Sequence, residues 1–130
     1  MHDKNSDRLD CLISDDTMTA RQLNIAVEGC AHGELDVIYD RLLALETEKG
    51  CKADLLIICG DFEAIRHERD MLTIARPAKY HRIGQFWQYY SGRKHAPVLT
   101  VYVGGNHEAS AYHWELYGHF HFIFPWCQID

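Results

Sequence analysis

The sequence has no long apolar run and no regular cysteine pattern, and each absence excludes a class of protein. No stretch of the 130 residues is apolar for long enough to cross a bilayer, and residues 1–20 do not contain the apolar core of a signal peptide. The five cysteines are an odd number without a Cys-x-x-Cys pair, which fits neither a secreted disulfide framework nor a zinc ribbon. We therefore expect a soluble intracellular protein in a reducing compartment, with no membrane partner.

Positive charge is also scarce in this chain. Thirteen Lys and Arg stand against nineteen Asp and Glu, so the formal net charge is -6 at pH 7. The field of the whole chain repels a polyanion, and nucleic-acid binding cannot be inferred from bulk charge. Any affinity for phosphate must come from a metal ion or from a local patch.

Apolar residues make up 47% of the sequence, which is enough for one core, although 130 residues is short for a closed strand-helix fold. Apolar patterns alternate along the chain in an order that predicts an α/β fold with a mostly parallel sheet and right-handed crossovers. The predicted elements are a strand at 23–28, a helix at 34–49, a strand at 55–59 buried on both faces, a helix at 65–75, a short segment at 86–90 and a strand at 98–103. We divide the chain into a polar leader at 1–20, a domain at 21–117 and an aromatic tail at 118–130.

Each predicted strand ends in glycine followed by side chains that commonly bind metals. The three segments are Gly29-Cys30-Ala31-His32-Gly33, Gly60-Asp61 and Gly105-Asn106-His107-Glu108. Sites in open parallel sheets form beyond the carboxyl ends of the strands, so the three segments should meet in one crevice. Singly each motif is weak, but together they predict a metal site.

The ordered set C-x-H-G-E, G-D-F-E and G-G-N-H-E-A-S resembles the calcineurin-like metallophosphoesterase superfamily, whose usual first motif is D-x-H. Cys30 in place of that Asp makes the chain resemble the RNA lariat debranching enzymes within it. Four further segments look like that family, and the resemblance runs from about Gln22 to Ser110. They are C-G-D-F-E-A at 59–64, P-A-K-Y at 77–80, Y-Y-S-G at 89–92 and A-P-V-L-T at 96–100.

The resemblance implies a role for each polar residue at the strand ends. Asp61 would supply a carboxylate that bridges two metal ions, and Asn106 would offer an amide oxygen to one of them. His32 would bind the other ion, and the thiolate of Cys30 would favour iron or zinc over magnesium, with manganese a further candidate. His107 would be catalytic, protonating the departing hydroxyl or stabilising its charge.

Some of these residues also have plainer interpretations. Cys30 could be a small buried apolar side chain at a strand end. Glu34 is better explained by the preference of helix N-termini for acidic residues, and Glu63 and Glu108 stay undecided. The basic run at 93–95 beside Tyr89 and Tyr90 could contact RNA, although a solvated loop beside a core aromatic pair is the better interpretation.

The resemblance ends after Ser110. Gly118-His119-Phe120-His121 matches the terminal Gly-His-x-His pattern of the superfamily, but it follows His107 too closely, and we interpret it as a coincidence. We therefore expect a partial metallophosphoesterase α/β sandwich, in a fragment or truncated isoform with an incomplete metal cage and little or no turnover.

By its resemblance, the parent enzyme would hydrolyse the 2′,5′-phosphodiester at branch points of excised intron RNA. It would act in the nucleus, with the cytoplasm as a second compartment. A general metallophosphatase or phosphodiesterase and a non-catalytic isoform stay open as alternatives. The sequence leaves the oligomeric state undetermined.

Overall fold

The structure, a computed structural model, describes residues 22–118. The predicted leader at 1–20 and the tail beyond Gly118, including the other three residues of the Gly-His-x-His pattern, lie outside this range, so those interpretations stay predictions. In chain order the elements are β1 Ile25–Cys30, α1 Leu35–Lys49, β2 Leu55–Gly60, α2 Glu68–Met71, a 3₁₀ turn Ala78–Tyr80, α3 Phe86–Tyr90, β3 Thr100–Tyr102 and α4 Ser110–Gly118.

The three strands form one parallel sheet in the order β1-β2-β3. Ala26 pairs with Leu56, and Leu56 pairs in turn with Thr100, so the strands run in step. The predicted α/β fold with a parallel sheet is therefore confirmed, and its architecture is compatible with a partial metallophosphoesterase domain. Because the strands are parallel, their carboxyl ends lie along one edge of the sheet.

Helices α1, α3 and α4 pack against the same face of the sheet. Leu56 and Ile58 of β2 are almost completely buried there, at 2% and 0% exposure. They belong to a cluster with three α1 residues, which recur along one face of that helix, and with aromatic rings from α3 and α4. The cluster includes Leu35, Tyr39, Leu42, Phe62, Phe86 and Tyr112. α1 ends at Gly50, which adopts the left-handed conformation with φ 66° that favours glycine.

The opposite face of the sheet is apolar but open to solvent among the described residues. Val27 is 68% exposed and Val101 is 52% exposed, although neither side chain is polar. The predicted burial of β2 on both faces is therefore wrong for this part of the chain. Leu56 and Ile58 are buried, whereas Cys59 is exposed. Only the alternate residues of each strand meet the helices, because side chains alternate between the two faces.

Two helices differ from the predictions. The helix predicted at 65–75 shortens to Glu68–Met71, because Asp70 accepts hydrogen bonds from the main chain and side chain of Arg66 and thereby favours a compact turn. Helix α4 was not predicted.

No helix among residues 22–118 is long and apolar enough to span a membrane.

Candidate metal centre

The loops that follow the three strands lie against one another at the carboxyl edge of the sheet. The amide of His32 donates to the carbonyl of Asp61 over 2.6 Å, which ties the loop after β1 to the loop after β2. The loop after β3 passes even closer to Asp61. A Cβ atom on Gly105 would lie 2.0 Å from Asp61 Oδ1, so only glycine allows this approach. The predicted meeting of the three segments is confirmed.

Three predicted ligands bring their donor atoms together in this crevice. Cys30, His32 and Asp61 each place one sulfur, nitrogen or oxygen atom within 4.8 Å of those of the other two. Cys30 is exposed, so the plainer interpretation of a buried apolar cysteine is wrong. A thiol, an imidazole and a carboxylate form a donor set that suits zinc or iron better than magnesium.

The Asp61 carboxyl is held in its ionised form. A hydrogen bond from the backbone amide of His107, 3.0 Å long, is the largest cause that lowers its pKa. Burial opposes this effect, and the nearby imidazoles of His107 and His32 and a hydrogen bond with Cys30 lower the pKa further. An ionised carboxylate at 5% exposure is available to a cation without first losing a proton.

His107 lies beside the same carboxylate. Its Nδ1 is 3.4 Å from Asp61 Oδ2, and its ring centroid is 5.4 Å from that of His32. The Nδ1 atom is buried and makes no hydrogen bond to any residue in the range 22–118. Its polar neighbour is the Asp61 carboxylate, in a contact that lacks hydrogen-bond geometry.

The fourth predicted ligand, Asn106, follows Gly105 in the loop after β3. Asn106 is exposed, and its side chain makes no hydrogen bond within the described part of the chain. It is nevertheless the direct neighbour of His107, in the loop that contacts Asp61. Its predicted role as a ligand, like the roles of the other four residues, stays a prediction.

The backbone is strained at the site. His32, Asp61 and Glu63 are the non-glycine residues with positive φ among the residues described, at 47°, 40° and 57°. Each such residue costs on the order of 1–3 kcal/mol, and such strain persists where the surrounding structure enforces it, often at functional sites. The strain and the donor set both fit a metal in this crevice.

Three charged residues near the site were not assigned a role from the sequence. Glu63 is completely buried, and its carboxylate binds Arg76 and contacts His32. Glu108 accepts the backbone amides of Glu63 and Ala64. In the sequence, Glu63 stands two residues after Asp61, and Glu108 directly follows His107. This proximity was the only indication that they belong to the site, and it could not show that they are buried.

The structure also shows the contacts of two further groups of charged residues. Glu34 pairs with Arg82, which also donates to the carbonyl of His32, and the Glu34 side chain does not cap α1, so its structural interpretation stays a prediction. Lys94 and the hydroxyl of Tyr89 both bind the carboxylate of Asp36, so this part of the basic run is engaged within the fold. The side chains of Lys94 and Tyr89 therefore contribute to packing within the chain.

No protein-family model matches the chain. Individual proteins do match, among them three that are named lariat debranching enzymes. The chain is 57% identical to the enzyme of Danio rerio over 94 residues, 56% identical to enzyme A of Xenopus laevis over 94 residues and 50% identical to the enzyme of Arabidopsis thaliana over 95 residues. The chain is homologous to the lariat debranching enzymes.

The matched stretch covers 72–73% of this chain but only 16%, 18% and 23% of those three relatives. The chain therefore spans about a fifth of the length of the relatives it matches. This coverage is compatible with the partial domain expected from the sequence. The recognition of the family from Cys30 and the three strand-end motifs is confirmed.

Proposed function

We propose that this chain carries part of the metal centre of a lariat debranching enzyme. The whole enzyme would hydrolyse the 2′,5′-phosphodiester at branch points of excised intron RNA, and it would do so in the nucleus. The convergence of Cys30, His32 and Asp61 carries the proposal, since it occurs in a chain 50–57% identical to enzymes of that name. Branched intron RNA is accordingly the proposed substrate.

Four residues would hold the metal in this proposal. Cys30, His32 and Asp61 offer converging donor atoms, and Asn106 would add an amide oxygen from the neighbouring loop. Iron, zinc and manganese are the candidate metals. Bound divalent metal would neutralise charge on the phosphodiester and lower the pKa of an attacking water.

His107 would protonate the oxygen that leaves the phosphorus, or stabilise its charge. Its backbone amide anchors the loop by donating to Asp61, and this fixes the imidazole beside the ligand candidates. The ring is half-buried, which allows one edge to face a substrate while the other stays packed. A positioned acid of this kind contributes about 10²–10⁴-fold to a rate.

A Co²⁺ titration of the 130-residue chain tests the metal site directly. Cobalt bound to a thiolate gives a sulfur-to-metal charge-transfer absorption, which Cys30→Ser should abolish. Cys51→Ser is the matched control, because Cys51 is also exposed but precedes β2 and therefore lies at the other end of that strand. Retention of the band in Cys30→Ser, or no binding by the wild-type chain, would contradict the proposed centre.

A chimera tests the activity. The 94 matching residues of the Danio rerio enzyme are replaced by those of this chain, and the product is incubated with branched RNA, linear RNA and small phosphate esters. We expect cleavage of the 2′,5′ linkage alone, and a loss of about 10²–10⁴-fold on His107→Ala with the fold retained. Equal activity on small esters would favour a general metallophosphatase instead.

A further inference from the structure

Glu63 is a buried acid whose carboxylate is held on both oxygens by one guanidinium. Arg76 Nη1 donates to Oε1 over 2.8 Å, and Nη2 donates to Oε2 over 3.1 Å. The Glu63 side chain is 0% exposed and that of Arg76 is 13% exposed. This two-point geometry leaves the carboxylate little freedom to rotate.

The same carboxylate contacts the imidazole of His32. Glu63 Oε1 lies 3.3 Å from His32 Nδ1. An ionised carboxylate can only accept a hydrogen bond, so the imidazole must carry its proton on Nδ1. In the neutral imidazole the other ring nitrogen, Nε2, then keeps its lone pair, and it lies 3.7 Å from Asp61 Oδ2 on the side of the ligand cluster.

A second carboxylate supports the backbone turn that carries Glu63. Glu108 Oε1 accepts the amide of Glu63 over 2.9 Å, and Oε2 accepts the amide of Ala64 over 3.1 Å. Glu63 has a φ of 57°, which is unfavourable for a residue with a long side chain. Glu108 therefore stabilises a strained turn that directs Glu63 at His32, and it connects this turn to the loop that carries His107.

Glu63 could instead be a metal ligand, because donor atoms of His32, Glu63 and His107 also lie within 4.8 Å of one another. The contacts of Glu63 argue against that role. Both of its oxygens are bound to Arg76, and a metal that took them would leave a largely buried guanidinium without this partner. Removing one partner from a buried ion pair is strongly unfavourable.

We propose that Glu63 is a positioning residue that sets the tautomer and orientation of His32, with Arg76 holding its carboxylate and Glu108 its backbone. The inference rests on the proposed metal function of His32. Histidines that bind metals commonly donate their second N–H to a carboxylate, and loss of that partner weakens metal binding about 10–100-fold.

The tautomer of His32 can be measured in the metal-free chain by long-range ¹H–¹⁵N correlation of the ring, above the ordinary pKa range of histidine. We expect a single Nδ1–H tautomer in the wild type and a mixture in Glu63→Gln, whose amide can donate as well as accept. Asp70→Asn is the matched control, because Asp70 is equally buried and is held by Arg66. It should leave the His32 signals unchanged. A mixed or Nε2–H tautomer in the wild type would overturn the proposal.

Metal affinity gives the second measurement, with Co²⁺ as the probe. Glu63→Gln should bind about 10–100-fold more weakly than wild type, and Asp70→Asn should bind equally well even if both variants melt at lower temperature. Arg76→Lys keeps the charge but loses the two-point contact, and it should fall between them. Equal affinity of all variants would overturn the proposal. A wild-type chain with the Nδ1–H tautomer but no Co²⁺ binding would contradict the proposed metal function while supporting the role of Glu63.

Discussion

The close approach of Gly105 to Asp61 leads to a sharp prediction for Gly105→Ala. The added Cβ would lie 2.0 Å from Asp61 Oδ1, 2.8 Å from its Cγ and 2.6 Å from its backbone nitrogen. Two of these three atoms belong to the side chain, but the third belongs to the backbone of a loop tied to His32. Rotation of the Asp61 side chain therefore cannot relieve the whole clash, and the loop after β3 must move.

The cost of that movement can be worked from the contacts it breaks. Overpacking a crowded position costs about 1–3 kcal/mol. The hydrogen bond from the His107 amide to the buried Asp61 carboxylate involves a charged group, and such bonds contribute about 1.5–3 kcal/mol. One displacement of the loop causes both losses, so they overlap, and we expect Gly105→Ala to lose about 2–4 kcal/mol of unfolding free energy.

Gly29→Ala is the matched control. Gly29, the penultimate residue of β1, is exposed like Gly105, but nothing lies within 4 Å of a Cβ built there. Urea denaturation should place this variant within about 0.5 kcal/mol of wild type. Co²⁺ titration should show weakened binding for Gly105→Ala alone. Equal stability and affinity of the two variants would refute the reasoning that Gly105 sets the position of Asp61.

Three further predictions concern the fold around the site. Ile58→Ala, at a fully buried position, should lose about 2–5 kcal/mol of unfolding free energy, measured by urea denaturation. Val101→Thr, on the open face, should stay within about 0.5 kcal/mol of wild type. Equal losses would contradict a core that lies on one face of the sheet. Asp70→Asn should lose about 1.5–3 kcal/mol near neutral pH, since it removes a charged hydrogen-bond acceptor from Arg66, which keeps its ion pair with Glu115; a circular-dichroism melt that matches wild type would contradict this. Acid should destabilise the wild type more than Asp70→Asn, as melts recorded across decreasing pH would show.

The sign of the acid effect follows from the pKa of Asp70. Burial raises this pKa, but the hydrogen bonds and charge attraction from Arg66 outweigh burial. The pKa of Asp70 in the folded chain is therefore below its ordinary value of 3.8. The unfolded chain therefore takes up a proton at a higher pH than the folded chain does. The stabilisation is fully present above the ordinary pKa of Asp and is lost as the pH falls through the lower folded value. Equal acid sensitivity of the two proteins would show that this carboxylate is not the responsible group.

The sequence by itself determined the lineage, the parallel α/β fold and the three loops of the site. Cys30, His32, Asp61 and His107 follow strands whose apolar patterns are legible without a structure, and parallel strands must deliver their carboxyl ends to one edge. These features are local along the chain, or they follow from a general rule of topology.

Only the tertiary structure decided how the site is held. Glu63 and Arg76 are 13 residues apart, and Glu63 and Glu108 are 45 residues apart, so nothing in their spacing predicts that they meet. Burial makes these charges pair, because an unpaired charge in the interior is too costly, and burial depends on every packed element at once. The exposure of one face of the sheet was likewise decided by the tertiary structure, since an apolar strand pattern cannot show which face the helices cover.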